Sequence, residues 1–426
     1  MFNQKKRKMK KRNLFYALTA GIVLFGACNN NSNEFTPSDD NAAQQLVLQV
    51  ASTGDGLQTR AGRPLYAANA DQDIDNILII VKDTNDNKIA YVGEITNWKG
   101  LSKAYTDNGH GLQYTLTLKG ENKLKEGDYT VVAVGYSQAT AYTFNPQFNT
   151  LAKGSILAEN ISGKIDGDAE EVFAGEAKLK VKENGAFEFT PNTTGVVVTL
   201  HRQVAGGFGY FYNIPASVDG VKAATLRLVT INKNTQVNFK DFNTSFTTTG
   251  NEVKYVINGD QPATADTKFS DDTEAHTLYT IDLGKWFTEG DKDGDGLLTS
   301  KDTWTMPEGV KTNVVEGSVF AGRFMIPFAL QAGKNTMELQ LLDAAGNILR
   351  TWGVKIKTTD RVTGDESVSI FNVVRNHMYN LGVKTTHEGP NTPDPDTNQP
   401  EDLSKNQDLI LKVNDNWELI HQMELD

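Results

Sequence analysis

Short apolar or alternating runs recur along nearly the whole chain, separated by Gly, Asn and Asp turns, and this rhythm constrains the fold more than any other feature. Examples are Ile77-Leu78-Ile79-Ile80-Val81, Tyr114-Thr115-Leu116-Thr117-Leu118, Tyr129-Thr130-Val131-Val132-Ala133-Val134, Val196-Val197-Val198-Thr199-Leu200, Thr225-Leu226-Arg227-Leu228-Val229 and Met337-Glu338-Leu339-Gln340-Leu341-Leu342. β-Branched and aromatic residues dominate them, and turn signals return at roughly 8–12-residue spacing, as in sandwich or open-barrel domains. Long helical periodicity is absent, so the expected class is all-β. Asn85-Asp86-Asn87-Lys88 and Ala344-Ala345-Gly346-Asn347 each join two runs and read as hairpin turns.

The first thirty residues follow a different rule. Lys5, Lys6, Arg7, Lys8, Lys10, Lys11 and Arg12 precede an apolar run from Leu14 to Phe25, which is the layout of a secretion signal. The run is about a dozen residues long, short of the roughly 20 that span a bilayer as a helix. It ends in Leu24-Phe25-Gly26-Ala27-Cys28, a lipobox with Phe25 where leucine is commoner. Cys28 is the only cysteine in the chain. A thiol kept for structure in an oxidising compartment would normally be paired, so Cys28 is read as a lipidation site. Acyl chains contribute about 0.8 kcal/mol per buried methylene, and a second chain makes the anchor stable. The polar stretch Asn29-Asn30-Asn31-Ser32-Asn33 suits a tether. The formal net charge is −11, and loss of the basic leader makes the exported chain more acidic still. That sign disfavours nucleic acid as a partner.

The length suits two domains, and several runs recur in the same order in both halves, with a boundary expected near residue 190. Two pieces lie outside this pattern. One is the strand Leu46-Val47-Leu48-Gln49-Val50, between the tether and Thr59-Arg60-Ala61-Gly62-Arg63-Pro64. The other follows the extended linker Gly389-Pro390 to Pro400 and runs from Leu409 to Ile420, with Leu409, Leu411, Val413 and Trp417 as its apolar residues. A lone strand in water exposes apolar side chains and unpaired backbone, so it needs a sheet edge or a groove.

The sharpest local motif is Asp291-Lys292-Asp293-Gly294-Asp295-Gly296-Leu297-Leu298-Thr299-Ser300-Lys301-Asp302. It matches the twelve-residue calcium loop, with side-chain oxygens of Asp291, Asp293 and Asp295 at positions 1, 3 and 5 and Gly296 at the sharp turn. The Leu297 carbonyl, Thr299 and Asp302 fall at positions 7, 9 and 12. Asp302 stands where glutamate is commoner. A structural calcium ion is the expectation; an acidic Asp-Gly turn without metal is the competing reading. Catalytic signals are missing. The histidines His110, His201, His276, His377, His387 and His421 have no metal-ligand spacing, and G-x-S-x-G, P-loop and H-E-x-x-H motifs do not occur. The chain is therefore read as a non-enzyme. Trp98, Trp286, Trp304 and Trp352 could stack on sugars, which makes a glycan-binding surface lipoprotein the rival reading; core packing accounts for them equally well.

The order of these pieces resembles the fimbrillin family of lipoprotein-derived (type V) pilins. The residues that carry the resemblance are Cys28, Arg60, Asp75 to Val81, Leu124 to Ala133, Phe173-Ala174-Gly175, Leu200-His201-Arg202-Gln203-Val204-Ala205, Val374-Arg375-Asn376-His377-Met378-Tyr379-Asn380-Leu381-Gly382-Val383, and the proline linker with its final strand containing Trp417. The resemblance implies two tandem transthyretin-like β-sandwich domains, an N-terminal lipoprotein signal and a linker-borne C-terminal donor strand. It divides the chain into a signal (1–27), a tether with a removable strand (28–60), a first sandwich (61–190), a second with the calcium-loop insertion (191–386), and a linker with the donor strand (387–426). It further implies that a trypsin-like protease cuts at Arg60-Ala61, freeing the strand Leu46 to Val50, and that Leu409, Leu411, Val413 and Trp417 of a neighbour refill the groove. Arg63 is the poorer site, because Pro64 follows it. Partners would be like subunits and other fimbrial subunits, and the location the outer membrane and cell surface. A tip or anchor subunit is an alternative within the same resemblance, and the tail lacks the proline before its tryptophan that is associated with stalk subunits.

Overall fold

The computed structural model describes residues 44–51, 74–105, 111–188, 196–240, 246–249, 252–255, 257, 259, 276–308, 314–329, 335–359, 366–369, 371–384, 398–405 and 407–414. Cys28, Arg60, Ala61 and Trp417 lie outside them. The architecture is all-β and sandwich-like. Among the described residues the only α-helices are single turns, at Trp98–Leu101 and Leu283–Trp286.

The first half is built from β1 (Gln44–Ala51), β2 (Asn76–Asp83), β3 (Ile89–Ile95), β4 (Lys103–Tyr105), β5 (Gly111–Leu118), β6 (Gly127–Tyr136), the short β7 (Thr143–Asn145) and β8 (Ser162–Lys164), β9 (Val172–Val181) and β10 (Val196–Arg202). Eight of them form one sheet in the order β3-β2-β6-β9-β10-β1-β5-β4. Its interior is filled by Leu46, Leu48, Val50, Ile77, Ile79, Val81, Val131, Phe173, Val198 and Leu200 among others.

The unbroken apolar runs have a direct cause. In β6, Tyr129, Val131 and Ala133 face this interior, while Val132, Val134 and Tyr136 face a second apolar layer with Leu78, Ile80, Phe144, Val204, Phe239 and Ile326. A strand covered on both faces reads as a continuous apolar run instead of an alternating one. That second layer mixes residues from both halves of the chain.

The second half is built from β11 (Ala205–Tyr212), β12 (Thr225–Thr230), β13 (Gln236–Asn238), β14 (Thr277–Asp282), β15 (Val319–Met325), β16 (Met337–Leu342), β17 (Ile348–Thr359), β18 (Met378–Leu381) and β19 (Leu409–Asn414). The main path of its sheet runs β14-β12-β16-β17-β19-β18-β11-β15, and β13 pairs with β8 of the first half. The chain leaves the first sheet between Arg202 and Ala205, C-terminal of the boundary expected near residue 190. The reason is that Val196 to Leu200 lies beside β1, and Arg202 still pairs with Phe173 of β9.

Both expected hairpin turns form. Asn87 adopts a left-handed φ of 58°, and the Asp83 carboxylate accepts the Asn85 amide at 2.7 Å. Gly346 takes a φ of 87°, and Asp343 accepts the amides of Ala345 and Asn347 at 2.9 and 2.8 Å. Those bonds hold Asp343 below the usual carboxylate range, the Asn347 side chain contributing most.

Candidate functional site

Two strands at the ends of the described chain each fill a slot in a sheet. β1 lies parallel to β10, from Leu46 opposite Val196 to Val50 opposite Leu200, and antiparallel to β5, from Gln44 opposite Leu118 to Ala51 opposite Gly111. Leu46, Leu48 and Val50 are completely buried, whereas Gln45, Val47 and Gln49 are half-buried. Each inward aliphatic side chain contributes roughly 1.5–3 kcal/mol by leaving water.

Gln44 sits at the start of this slot, buried. Its Nε2 donates to the carbonyls of Leu124 and Gly185 at 2.9 and 2.8 Å, and its Oε1 accepts the Leu124 amide at 2.7 Å. One side chain thereby satisfies three backbone groups at the mouth of the slot, two of them buried. Composition and periodicity give no hint of this, since Gln44 precedes the apolar run.

The C-terminal strand occupies the second slot within its own chain. β19 runs parallel to β17, with Val354, Lys355 and Ile356 opposite Leu409, Ile410 and Leu411, and antiparallel to β18, where Tyr379 faces Val413. Leu409 is fully buried and Leu411 nearly so. The segment leading into it is also docked. Leu403 is fully buried, the Trp352 indole donates to the Lys405 carbonyl at 3.1 Å, and Lys355 pairs with Asp408 at 2.6 Å. Of the donor residues expected from sequence, Leu409, Leu411 and Val413 lie in this strand.

Three of the sequence segments that looked distinctive meet where the halves join. Arg202 and Glu171 form an ion pair at 2.9 Å with both side chains 2% exposed, and the Arg202 guanidinium lies over the Phe173 ring. Arg202 also donates to Asn376 Oδ1, and Arg375 to Gln203 Oε1. The Asn376 amide donates to the Val204 carbonyl, and the Gly206 amide to the His377 carbonyl, both at 2.9 Å. Gly175 is required beside them: a Cβ there would stand 2.0 Å from the Thr199 carbonyl oxygen. The conspicuous polar residues of these motifs therefore form a buried clamp between the halves.

The acidic loop contains the two-residue strand Leu297–Leu298, which pairs with Ile214–Pro215. Gly294 and Gly296 have φ of 74° and 87°. Carboxylate oxygens of Asp291, Asp293 and Asp302 lie within 4.8 Å of one another. Asp291 accepts the amides of Gly294 and Gly296, while Asp302, which is buried, accepts those of Lys292 and Thr299. The Lys301 ammonium stands 3.2 Å from Asp295 and 3.6 Å from Asp293. Asp295 is held below the ordinary carboxylate range by the Leu297 amide and by that ammonium. An all-oxygen donor set of this kind fits a hard divalent cation.

The tryptophans read as candidate sugar platforms are taken up by packing. Trp98, Trp286 and Trp352 are buried, and the half-buried Trp304 donates its indole N–H to the Ser318 carbonyl at 2.8 Å. Among the described residues no helix is long and apolar enough to cross a membrane.

No family model and no curated protein matches the chain. Solved structures do. The tip fimbrial protein Mfa3 from Porphyromonas gingivalis, with a C-terminal truncation, aligns at 12% identity over 79% of this chain and 93% of that one, with a TM-score of 0.37. A fimbrial assembly protein from Parabacteroides distasonis aligns at 14% identity over 81% and 92%, with a TM-score of 0.30. A proposed cell adhesion protein from the same organism aligns at 8% identity over 88% and 97%, with a TM-score of 0.42.

Proposed function

We propose that this chain is a structural subunit of a cell-surface pilus that polymerises by strand exchange and serves adhesion. The observation that carries this reading is the position of β1. It is an inner strand of the first sheet, and it is supplied by a segment that lies wholly upstream of Arg60. A cut at Arg60-Ala61 would free it to leave. Its departure would expose the ladder edges of β5 and β10 and an apolar floor that water satisfies poorly.

The replacement is β19 of a second copy. Because β19 already lies in its own sheet, exchange trades one buried environment for another, and its leucines gain little net burial by moving. After trimming, one strand per chain remains for two slots, so a chain that keeps its own strand and a chain that exchanges it each leave one slot empty. The choice between the slots then depends on their differences. Residues 385–397, proline-rich in sequence, supply the reach to a neighbour, at about 3 Å per residue when extended, once the docked stretch around Leu403 comes away with the strand. The presence of both a removable and a donatable strand supports a stalk position in the fibre.

Around this core stand three further proposals. Cys28 carries the lipid that holds the precursor to the outer membrane before trimming. A trypsin-like protease is the processing partner. Calcium, held by Asp291, Asp293, Asp295, Thr299, Asp302 and the Leu297 carbonyl, stiffens the acidic loop and takes no part in any reaction; the role of the chain is non-enzymatic. The reading is tested by trimming the purified chain with trypsin and running it unboiled in SDS. Ladders from the parent and none from Arg60→Ala are expected, and a trimmed parent that stays monomeric would overturn the reading.

A further inference from the structure

The four inward-facing residues of β1 are Gln44, Leu46, Leu48 and Val50, all buried. The sequence repeats them at the same spacing in the C-terminal segment, as Gln407, Leu409, Leu411 and Val413. The three positions between them differ, with Gln45, Val47 and Gln49 against Asp408, Ile410 and Lys412. Identity confined to the buried face of one strand marks two segments shaped for the same slot, because only that face meets the slot floor.

Gln407 has no use for this identity where it now stands. In its own sheet the inward pattern begins at Leu409, and Gln407 is exposed. Set into the first slot of another copy, with Leu409 in the place of Leu46, it would occupy the position of Gln44. There its amide would donate to the carbonyls of Leu124 and Gly185 and accept the Leu124 amide, the three bonds Gln44 makes. Lys412 would fall at the position of Gln49, whose Nε2 donates to Gln113 Oε1 at 3.1 Å, and an ammonium can supply the same donor.

We infer that Gln407 is the register and specificity residue of subunit assembly, seating the donor strand of one copy so that Leu409, Leu411 and Val413 lie opposite Val196, Val198 and Leu200 of the next. The inference rests on the strand-exchange reading and adds the register and the residue that sets it. A slip by two residues keeps the alternation but removes the amide from the Leu124 and Gly185 backbone, taking away the partner of two buried groups and one half-buried carbonyl. Gln407 also discriminates between the slots, since it is bonded in the intermolecular one and exposed in the intramolecular one.

The test uses the full chain carrying Cys28→Ala, so that introduced thiols stand alone. In the inferred register Ile410 takes the place of Val47, opposite Thr115, whereas within one chain it lies opposite Lys355. After trypsin trimming, Ile410→Cys with Thr115→Cys should give disulfide-linked ladders. Pairing Ile410→Cys with Gln113→Cys or Thr117→Cys should give none. Gln407→Glu keeps the shape and the acceptor but loses both donors, and should lower the assembly rate or yield by at least about tenfold while leaving the melting temperature of the untrimmed chain unchanged. Cross-links at 113 or 117, or assembly of Gln407→Glu at the parental rate, would overturn the inference while strand exchange stands. A trimmed parent that forms no ladder at all would overturn both.

Discussion

Leu48 gives the most direct way to separate the precursor from the polymer. It is completely buried between Val198 and Tyr114, so Leu48→Ala removes apolar contact and leaves a cavity in the first sheet. Such truncations cost about 2–5 kcal/mol, a large share of the roughly 5–15 kcal/mol that holds a domain folded. Urea unfolding of the untrimmed chain should show the loss as a lower midpoint with little change in slope. Once the segment is cut away and replaced by the tail of a neighbour, the same substitution is no longer in the particle. Polymer assembled from the trimmed variant should dissociate in SDS at the parental temperature. Leu411→Ala should behave differently, weakening the untrimmed chain and the polymer alike, because that side chain is buried in one slot before assembly and in another afterwards. An untrimmed Leu48→Ala chain as stable as its parent would contradict the buried position of the residue. A Leu48→Ala polymer weaker than its parent would contradict the departure of β1.

Three other outcomes are expected. Glu171→Gln should destabilise the untrimmed chain by about 3–5 kcal/mol, because it strands the Arg202 charge in the buried clamp, and a urea midpoint within error of the parent would refute this. Calcium at millimolar concentration should raise the melting temperature through preferential binding to the folded chain, and Asp291→Asn with Asp293→Asn should abolish the shift; calorimetry that shows no uptake would exclude the site. Cys28→Ala should move the precursor from the membrane fraction to the soluble one with its melting temperature unchanged, and unaltered fractionation would refute lipidation.

The β class was legible in the sequence because alternating and continuous apolar runs report how many faces of a strand are covered. β6 and β2 illustrate the continuous kind, each buried on one face by the first interior and on the other by the layer shared between the halves. The hairpin turns were legible because Asp, Asn and Gly act on their own backbone within a few residues. The buried clamp was not, although its segments looked distinctive, because Glu171, Arg202, Gln203 and Arg375 to His377 come together only after two long excursions of the chain. The extent of the first sheet was hidden for a related reason: only one edge of β10 lies against a strand near in sequence, β9, and the other lies against β1, about 150 residues away. Nor does the pattern of a terminal strand say whose groove it fills. Leu409 and Leu411 would satisfy the same requirement in another chain as they do in their own.

The pairing direction of the first slot has a mechanical meaning. A strand lying there is held by ladders along both edges, antiparallel to β5 over its whole length and parallel to β10 from Leu46 to Val50. Tension applied along the axis of such a strand falls on many rungs together, in shear, and they must fail nearly at once. Tension applied across it would open the rungs one after another, like a zip. A filament with joints seated this way would resist stretching by flow far better than prising apart from the side.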